Sequence, residues 1–174
     1  MRRNGTGGLS GPDMPSAGTK RADPVSFLEM VAFEQLRSQR YNHYFVVALL
    51  SPVGVDLRAL VRTAAKSLRS SDLLGPVDSD GRFHWACESG RNREPQQPAW
   101  PEKGQLGMIM PETDRRGADV ALRRITSTLG ADEAVSVKYA VYPDNSTDPS
   151  ELLAIASAST VAWTGRANGA RGQA

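Results

Sequence analysis

Histidine and cysteine are the residue types most often used for metal binding and nucleophilic catalysis, and the chain has few of them. It contains two histidines and one cysteine, and only His84 and Cys87 lie close together in the sequence. Zinc needs three or four ligands, and no second pair of candidates accompanies these two. A cysteine nucleophile needs a base at a supporting position, and no spacing in the sequence indicates one. The sequence therefore predicts no catalytic residue and no metal site.

Basic side chains form the second group of candidates. Arg58, Arg62 and Lys66 recur every four residues along a predicted helix from 56 to 70, so they share one face. Such a stripe is either a solvated helix face or a surface that contacts phosphate groups or a partner. No nucleic-acid recognition motif accompanies it, so the sequence predicts no specific binding of nucleic acid.

Composition and charge are typical of one ordinary globular domain. Of the 174 residues, 40% are hydrophobic and 23% are charged, and 21 basic against 19 acidic residues leave a net charge of +2. This balance excludes a strongly basic nucleic-acid coat, and a single cysteine excludes an internal disulfide framework. The longest apolar run, 44–50, is too short to span a membrane. Because no apolar segment follows Arg2 and Arg3, we expect no secretion and a soluble, cytoplasmic domain.

Turn residues and changes in composition divide the chain into segments. A start rich in Gly, Ser and Pro predicts a disordered tail, and a second short tail ends the chain. The predicted segments are the tail 1–23, a linking helix 24–42, a domain 43–167 with an insert at about 82–103, and the tail 168–174. The density of Pro and Arg in the insert predicts a protruding loop that is dispensable for folding.

Hydrophobic periodicity predicts helices that alternate with short buried strands. Strands are predicted at 44–50, 73–77, 106–110 and 134–142, and helices at 24–42, 56–70, 114–129 and from 148 to about 163. Asp23, Asp56 and Thr113 are the expected N-caps of the first three helices. The predicted fold class is α/β, with a central mixed sheet of about five strands and helices on both faces.

Five stretches, in this order along the chain, resemble motifs of GGDEF (diguanylate cyclase) domains. They are the entry helix with YFVVALL (44–50), LRSSDL (68–73), LGMIMPETDRRGA (106–118), VSVKYAVYP (135–143) and DPSELLAIA (148–156). The resemblance covers residues 33–169 and implies the nucleotidyl cyclase fold. GGDEF domains join two GTP molecules into cyclic di-GMP at a dimer interface, and carboxylates on two strands hold the Mg²⁺ that this chemistry needs.

The resemblance also assigns the catalytic positions. The five signature residues fall at 102–106, which read Glu-Lys-Gly-Gln-Leu. The metal-binding acid of the third position falls on Gly104, the acid of the fourth on Gln105, and the metal-binding Asp of the first strand at about Ser51. None of these three residues supplies a carboxylate. The resemblance therefore implies a degenerate bacterial domain that is catalytically inactive, has no cofactor and acts in signalling or protein interaction.

Two alternatives remain open. In GGDEF domains an inhibitory cyclic di-GMP site reads R-x-x-D shortly before the signature. Arg93 matches the Arg of this pattern but Gln96 replaces its Asp, and Arg91 lies nearby. Arg91 and Arg93 are therefore weak candidates for a domain that binds cyclic di-GMP or GTP without turnover. The second alternative is an active nucleotide cyclase with a rebuilt site.

The first helix is the expected partner surface. Phe27, Leu28, Val31 and Leu36 recur at helical spacing. The equivalent helix of GGDEF domains links the domain to a sensor and pairs with its partner. We expect this helix to contact a protein partner or a second copy of the chain, with the basic stripe at 58–66 as a further interaction surface. The competing interpretation is that the whole helix folds back over the sheet.

Overall fold

The computed structural model describes residues 25–84, 101, 103–129, 134–158 and 161–164. Both predicted tails, Asp23, Arg91 and Arg93 lie outside them. No helix among the described residues is long and apolar enough to cross a bilayer. The described elements are β1 (Val25–Ser26), α1 (Phe27–Tyr41), β2 (Phe45–Val53), α2 (Leu57–Ser67), β3 (Leu73–Val77), β4 (Arg82–Phe83), β5 (Gln105–Pro111), α3 (Arg115–Ser127), β6 (Ala134–Tyr142), α4 (Pro149–Ala158) and β7 (Val161–Thr164).

The described strands form one seven-stranded sheet in the order β1-β4-β3-β5-β2-β6-β7. Every pair of neighbours is antiparallel. The predicted α/β fold class is confirmed, but the sheet is antiparallel rather than mixed and has more than five strands. The path of the chain explains the difference. The crossover through α2 makes β2 and β3 run in the same direction, but β5 returns between them and pairs with both.

Helices cover both faces of the sheet, as predicted. Val46, Ala48 and Leu50 of β2 pack in one core with α2 and α3. The alternate residues of β2 pack in a second core with α1 and α4. Because both faces are covered, β2 is buried without interruption from 45 to 50. This burial explains why the strand appears in the sequence as a continuous apolar run rather than an alternating one.

Helix α1 begins later than predicted. Ser26 is its N-cap, and the Ser26 N–H donates a hydrogen bond of 3.2 Å to Glu29 Oε2 in the first turn. Residues 25–26 pair with β4 as strand β1, so the chain cannot be helical there. The helix ends at Tyr41, and its C-cap, Asn42, adopts a left-handed conformation (φ 55°).

The face of α1 that meets the sheet differs in part from the predicted stripe. Leu36, which shares the predicted apolar stripe with Phe27 and Val31, is 64% exposed. The buried residues of the helix are Phe27, Val31, Glu34 and Ser38. Phe27 stacks on Phe83 of β4 with ring centroids 5.5 Å apart, and this contact fixes which face of the helix turns inward.

The predicted insert at about 82–103 begins inside the sheet. Arg82 and Phe83 form β4, which pairs with both β1 and β3, and Phe83 is fully buried. The boundary at 82 is therefore wrong, because the core needs this aromatic ring. Residues 85–100 lie outside the described residues, so their dispensability stays a prediction.

Two further boundaries differ from the predictions. Asp114 rather than Thr113 caps α3, since Asp114 Oδ1 accepts a hydrogen bond of 2.7 Å from a backbone N–H of the first turn. Thr113 is buried and donates its hydroxyl to the Pro111 carbonyl oxygen. The last helix ends at Ala158 rather than near 163, and residues 161–164 pair with β6 as strand β7. Pairing with β6 satisfies backbone groups that would otherwise form an open sheet edge.

Candidate functional site

Ser51 and Gln105, two of the positions that the resemblance assigns to metal-binding acids, meet at one end of the sheet. Ser51 lies in β2 and Gln105 begins β5, next to the cross-strand pair Leu50 and Leu106. Gln105 Nε2 donates a hydrogen bond of 2.7 Å to Ser51 Oγ. Both residues are half-buried. Two neutral side chains, hydrogen-bonded to each other, therefore stand at positions where the resemblance places the metal-binding acids of GGDEF domains.

The third position, Gly104, lies close to the backbone of β3. A Cβ atom added at Gly104 would be 2.5 Å from the Val77 carbonyl oxygen, which is closer than real Cβ atoms approach an oxygen. A carboxylate side chain at this position would require the backbone of β3 to move. Of the three remaining signature positions, Lys103 is exposed, Leu106 is buried and Glu102 lies outside the described residues.

His84, one of the two candidate metal ligands, pairs with Asp78. His84 Nε2 lies 3.0 Å from Asp78 Oδ2, while Asp78 Oδ1 accepts the backbone N–H groups of Asp80 and Arg82. Burial alone would raise the pKa of Asp78, but the hydrogen bonds from His84 and from the backbone outweigh it and lower this pKa. The pair thus closes the turn between β3 and β4.

The described residues contain no cluster of side chains that would support a metal site. Cys87, the other candidate ligand, lies outside the described residues. Among the residues that the structure describes, no group of three or more His, Cys, Asp or Glu side chains is placed to hold a metal ion.

The basic stripe lies on the outer face of α2. Arg58, Arg62 and Lys66 are all exposed, and the opposite face of the helix is buried in the core. Asp56 caps the helix by accepting the Ala59 N–H at 3.2 Å, as predicted. The three basic residues therefore share one solvent-facing surface.

A cleft of about 310 Å³ opens between the end of α2 and the start of α3. We call it the α2–α3 cleft. Its charged lining residues are Arg69, Asp72, Asp114, Arg116 and Arg124. Three guanidinium groups and two carboxyl groups give this lining a formal charge of +1, which favours an anionic ligand.

Asp72 in this cleft has incomplete hydrogen bonding. Its Oδ2 accepts a hydrogen bond of 2.8 Å from the backbone N–H of Arg69. Its Oδ1 is buried and receives no hydrogen bond from the described residues. Burial raises the pKa of Asp72 although Arg69 opposes the rise. Arg69 and Asp72 also have the R-x-x-D spacing that the sequence-based interpretation sought only near Arg93. The LRSSDL stretch was matched to a GGDEF motif, but its spacing was not assigned to a ligand site.

Part of the predicted partner surface on α1 is buried in the structure. Phe27 and Val31 are 1% and 0% exposed, and Leu28 is half-buried. The assignment of Phe27 and Val31 to a partner-facing surface is therefore wrong, because both side chains pack against the sheet of their own chain. Phe33 and Leu36 of α1 are exposed, at 70% and 64%, as is Tyr41 at the end of the helix, at 58%. We call Phe33 and Leu36 the outer α1 face.

Comparison with known proteins shows what the fold resembles. No protein-family model and no curated protein matches the sequence. The GGDEF domain of PA1120 (YfiN or TpbB) from Pseudomonas aeruginosa is 13% identical, covers 75% of this chain and is itself covered to 82%, with a TM-score of 0.56. The chain has a GGDEF-like fold. The resemblance drawn from the five sequence motifs is thus confirmed at the level of the fold.

Two further solved structures are similar to this GGDEF-like chain. The diguanylate cyclase SiaD from Pseudomonas aeruginosa, solved in complex with its activator SiaC, is 18% identical, with a TM-score of 0.43; the match covers 76% of this chain and 54% of SiaD. An EAL/GGDEF domain protein from M. capsulatus is 15% identical, with a TM-score of 0.44 and coverage of 75% and 84%. The chain therefore spans about half the length of SiaD, and the fold assignment depends on the PA1120 domain.

Proposed function

We propose that this chain is a cytoplasmic GGDEF-like domain without cyclase activity, which acts in signalling by contacting another protein or a second copy of itself. The observation that carries the proposal is the hydrogen bond between Gln105 Nε2 and Ser51 Oγ. Mg²⁺ bound to a triphosphate needs negatively charged oxygen ligands. A serine hydroxyl and an amide carry no charge, and in this chain the two side chains hydrogen-bond to each other.

Activity is tested by incubating the purified chain with GTP and either Mg²⁺ or Mn²⁺. We expect no cyclic di-GMP above a control without protein. The matched variant combines Ser51→Asp with Gln105→Glu, which restores two carboxylates at the same end of the sheet. We expect this variant to bind Mn²⁺ more tightly than the parent chain, because the added charges attract the cation. Product formed by the parent chain would refute the proposal and favour an active cyclase with a rebuilt site.

The outer α1 face supports the interaction part of the proposal. Phe33 and Leu36 are one helical turn apart and are largely exposed. Exposed apolar side chains that lie together on one helix often mark a contact surface. The helix is also well anchored through Phe27, so a partner would meet a rigid surface.

A second candidate function is binding of cyclic di-GMP without turnover. The observation that favours it is the α2–α3 cleft, where Arg69 and Asp72 have R-x-x-D spacing and Arg116 and Arg124 add positive charge. Arginine binds phosphate oxygens through paired hydrogen bonds, so three arginines suit a ligand with two phosphates.

Calorimetry with cyclic di-GMP tests this candidate. We expect Arg69→Ala to weaken binding at least about tenfold, because it removes a charge-assisted contact. Arg62→Ala removes the same charge from an exposed position of α2 outside the cleft, and should leave the affinity within about twofold. Absence of binding to the parent chain, or an equal loss in both variants, would exclude the α2–α3 cleft as the ligand site.

A further inference from the structure

A second cleft, of about 350 Å³, lies at the C-terminal end of α1. We call it the α1 cleft, and its lining residues are Glu34, Arg37, Ser38, Tyr41, His43 and Glu112. It lies where β2 begins and β5 ends, next to the pair Phe45 and Pro111. Ser51 and Gln105 are at the opposite end of the same two strands. The α1 cleft is therefore separate from the site described above.

Glu34 is a buried carboxylate with weak hydrogen bonding. Its side chain is only 4% exposed. Arg37 Nη1 lies 3.4 Å from Glu34 Oε2, and Ser38 Oγ lies 3.5 Å from Glu34 Oε1. Charge-assisted hydrogen bonds to a carboxylate are normally about 2.7–2.9 Å long. Both oxygens therefore have the capacity for a closer donor, which is unusual for a carboxylate withdrawn from water.

Arg37 is shared loosely between two carboxylates. Its Nη1 faces Glu34, and its Nη2 lies 3.9 Å from Glu112 Oε1 at the mouth of the cleft. The Arg37 side chain is 48% exposed, so water competes for the same donors. Two carboxylates and one guanidinium give the three groups a formal charge of −1. A ligand with one positive charge would neutralise them.

Aromatic rings form one wall of the α1 cleft. The rings of Tyr41 and His43 lie 6.2 Å apart between centroids. The guanidinium carbon of Arg40 already lies 5.7 Å from the Tyr41 ring, so this ring accepts a cation as a neighbour. The volume is near the lower limit of ordinary ligand sites, which suits a small ligand or the end of one side chain.

We propose that the α1 cleft binds an organic cation with several N–H donors, either a guanidinium or a primary ammonium group, which donates hydrogen bonds to Glu34 and Glu112. The cation supplies the close donors that Glu34 lacks and brings the net charge of the cleft to zero. It competes with Arg37 for the same carboxylate oxygens. Such a group is present on small amines and guanidines and also on the lysine and arginine side chains of a partner protein.

The ligand chemistry is tested by titrating the full chain with four probes in calorimetry. Ethylguanidinium and butylammonium are free cations with N–H donors, tetramethylammonium has the same charge without donors, and a capped Gly-Arg-Gly peptide carries the guanidinium on a protein-like backbone. We expect at least one donor-bearing probe to bind at least about tenfold more tightly than tetramethylammonium. Binding of the free cations as tight as that of the peptide identifies a small molecule, and clearly tighter binding of the peptide identifies a protein side chain. Equal binding of tetramethylammonium, or no binding of any donor-bearing probe, would refute the proposal.

Variants test the assigned residues with effects in opposite directions. Glu34→Gln should weaken binding of the best probe about tenfold, since it removes the buried charge. Arg37→Ala should tighten binding, because the internal competitor is gone. Asp80→Asn makes the same charge change as Glu34→Gln at an exposed turn at the other end of the sheet, and should have no effect. Should Glu34→Gln fail to fold by circular dichroism, the exposed Glu112→Gln replaces it, with an expected loss of about threefold. Unchanged binding in the Glu variant, or weaker binding in Arg37→Ala, would overturn the assignment.

Discussion

Glu34 carries a carboxyl group that the fold holds almost entirely out of water. Desolvation by burial raises its pKa above the ordinary value of 4.5, and Glu112 adds to the rise, while Arg37 and Ser38 oppose it. The folded chain therefore holds the Glu34 proton more tightly than the unfolded chain does. The stabilising contribution of this proton is complete below the unfolded pKa, and it is lost as the pH rises through the folded pKa.

Glu34→Gln removes this titration from the chain. As the pH rises from the unfolded pKa of Glu34 through its folded pKa, the parent loses stability and the variant does not. We therefore expect the unfolding free energy of the variant to increase relative to that of the parent over this pH range. Urea unfolding at a series of pH values measures the difference. Arg37→Ala, which removes a cation that lowers the pKa of Glu34, should move the loss of stability to higher pH. A difference between Glu34→Gln and the parent that stays constant with pH would contradict a raised pKa.

Gly107 of β5 lies beneath Phe27, in space that leaves no room for a side chain. A Cβ atom at this position would be 2.5 Å from Val77 Cγ2 and 3.1 Å from the Phe27 ring. We expect Gly107→Ala to lower the unfolding free energy by about 1–3 kcal/mol, as overpacking of a buried site usually does, measured by urea unfolding. In a Val77→Ala background, where the nearest atom is gone, the loss should be smaller. An equal loss in both backgrounds would show that contact with Val77 is not the cause.

Helix α1 has two phenylalanines in opposite environments. Phe27 is buried and stacks on Phe83, whereas Phe33 is largely exposed. We expect Phe27→Ala to lower the unfolding free energy by about 3–5 kcal/mol, because it empties a core site between α1 and β4. Phe33→Ala should change it by less than about 0.5 kcal/mol. Urea unfolding of the two variants side by side measures both values, and similar losses would mean that the helix does not fold back over the sheet as described.

The segment between β3 and β5 divides at His84 into a part that the sheet needs and a part that is predicted to be dispensable. Replacing 82–100 with a short Gly-containing turn removes Phe83, and we expect a loss of about 3–5 kcal/mol. Replacing only 85–100 keeps β4 and the pair of Asp78 with His84. The change in unfolding free energy should then stay within about 1 kcal/mol, since loop length has a small effect. A large loss from the shorter replacement would contradict the prediction.

Elements with a clear local pattern were predictable from the sequence. The bounds of β3 and β6 match the prediction, because burial that repeats along a strand leaves a pattern in the sequence. Asp56 caps α2 as expected, because its hydrogen bond to the Ala59 N–H is a local contact. The two-residue strands β1 and β4 and the terminal strand β7 have no such pattern. They are strands because a distant segment pairs with them. A local pattern cannot encode that partner.

The candidate sites depended even more on distant contacts. The resemblance indicated Ser51 and Gln105 separately, but their hydrogen bond depends on the register of β2 and β5, which lie 54 residues apart at this point. The apolar stripe predicted for α1 does not include Glu34. The burial of Glu34 became evident only when the stacking of Phe27 on Phe83 fixed the rotation of α1.

At the scale of the whole molecule, the two helical layers differ in charge. Helices α2 and α3 together carry seven basic residues and one acidic residue, whereas α1 and α4 carry two basic and three acidic residues. Two copies of the chain therefore have two ways to pair, either through the apolar outer α1 face or with the basic layer of one copy against the acidic layer of the other. Salt separates these modes, because it screens exposed charges but does not weaken apolar burial.

We expect the chain to self-associate through the outer α1 face, because pairing removes Phe33 and Leu36 from water at about 25 cal/mol per Å² of apolar surface. Light scattering at increasing protein concentration, in low and in high salt, measures the molar mass. Association should persist in high salt, and the double variant Phe33→Asp with Leu36→Asp should be monomeric. Val120→Asp places one such charge on an exposed apolar position of α3 and should leave association unchanged. Dissociation in high salt would indicate pairing of the charged layers instead. A parent chain that stays monomeric up to high micromolar concentration would rule out self-pairing and leave the outer α1 face for an unlike protein.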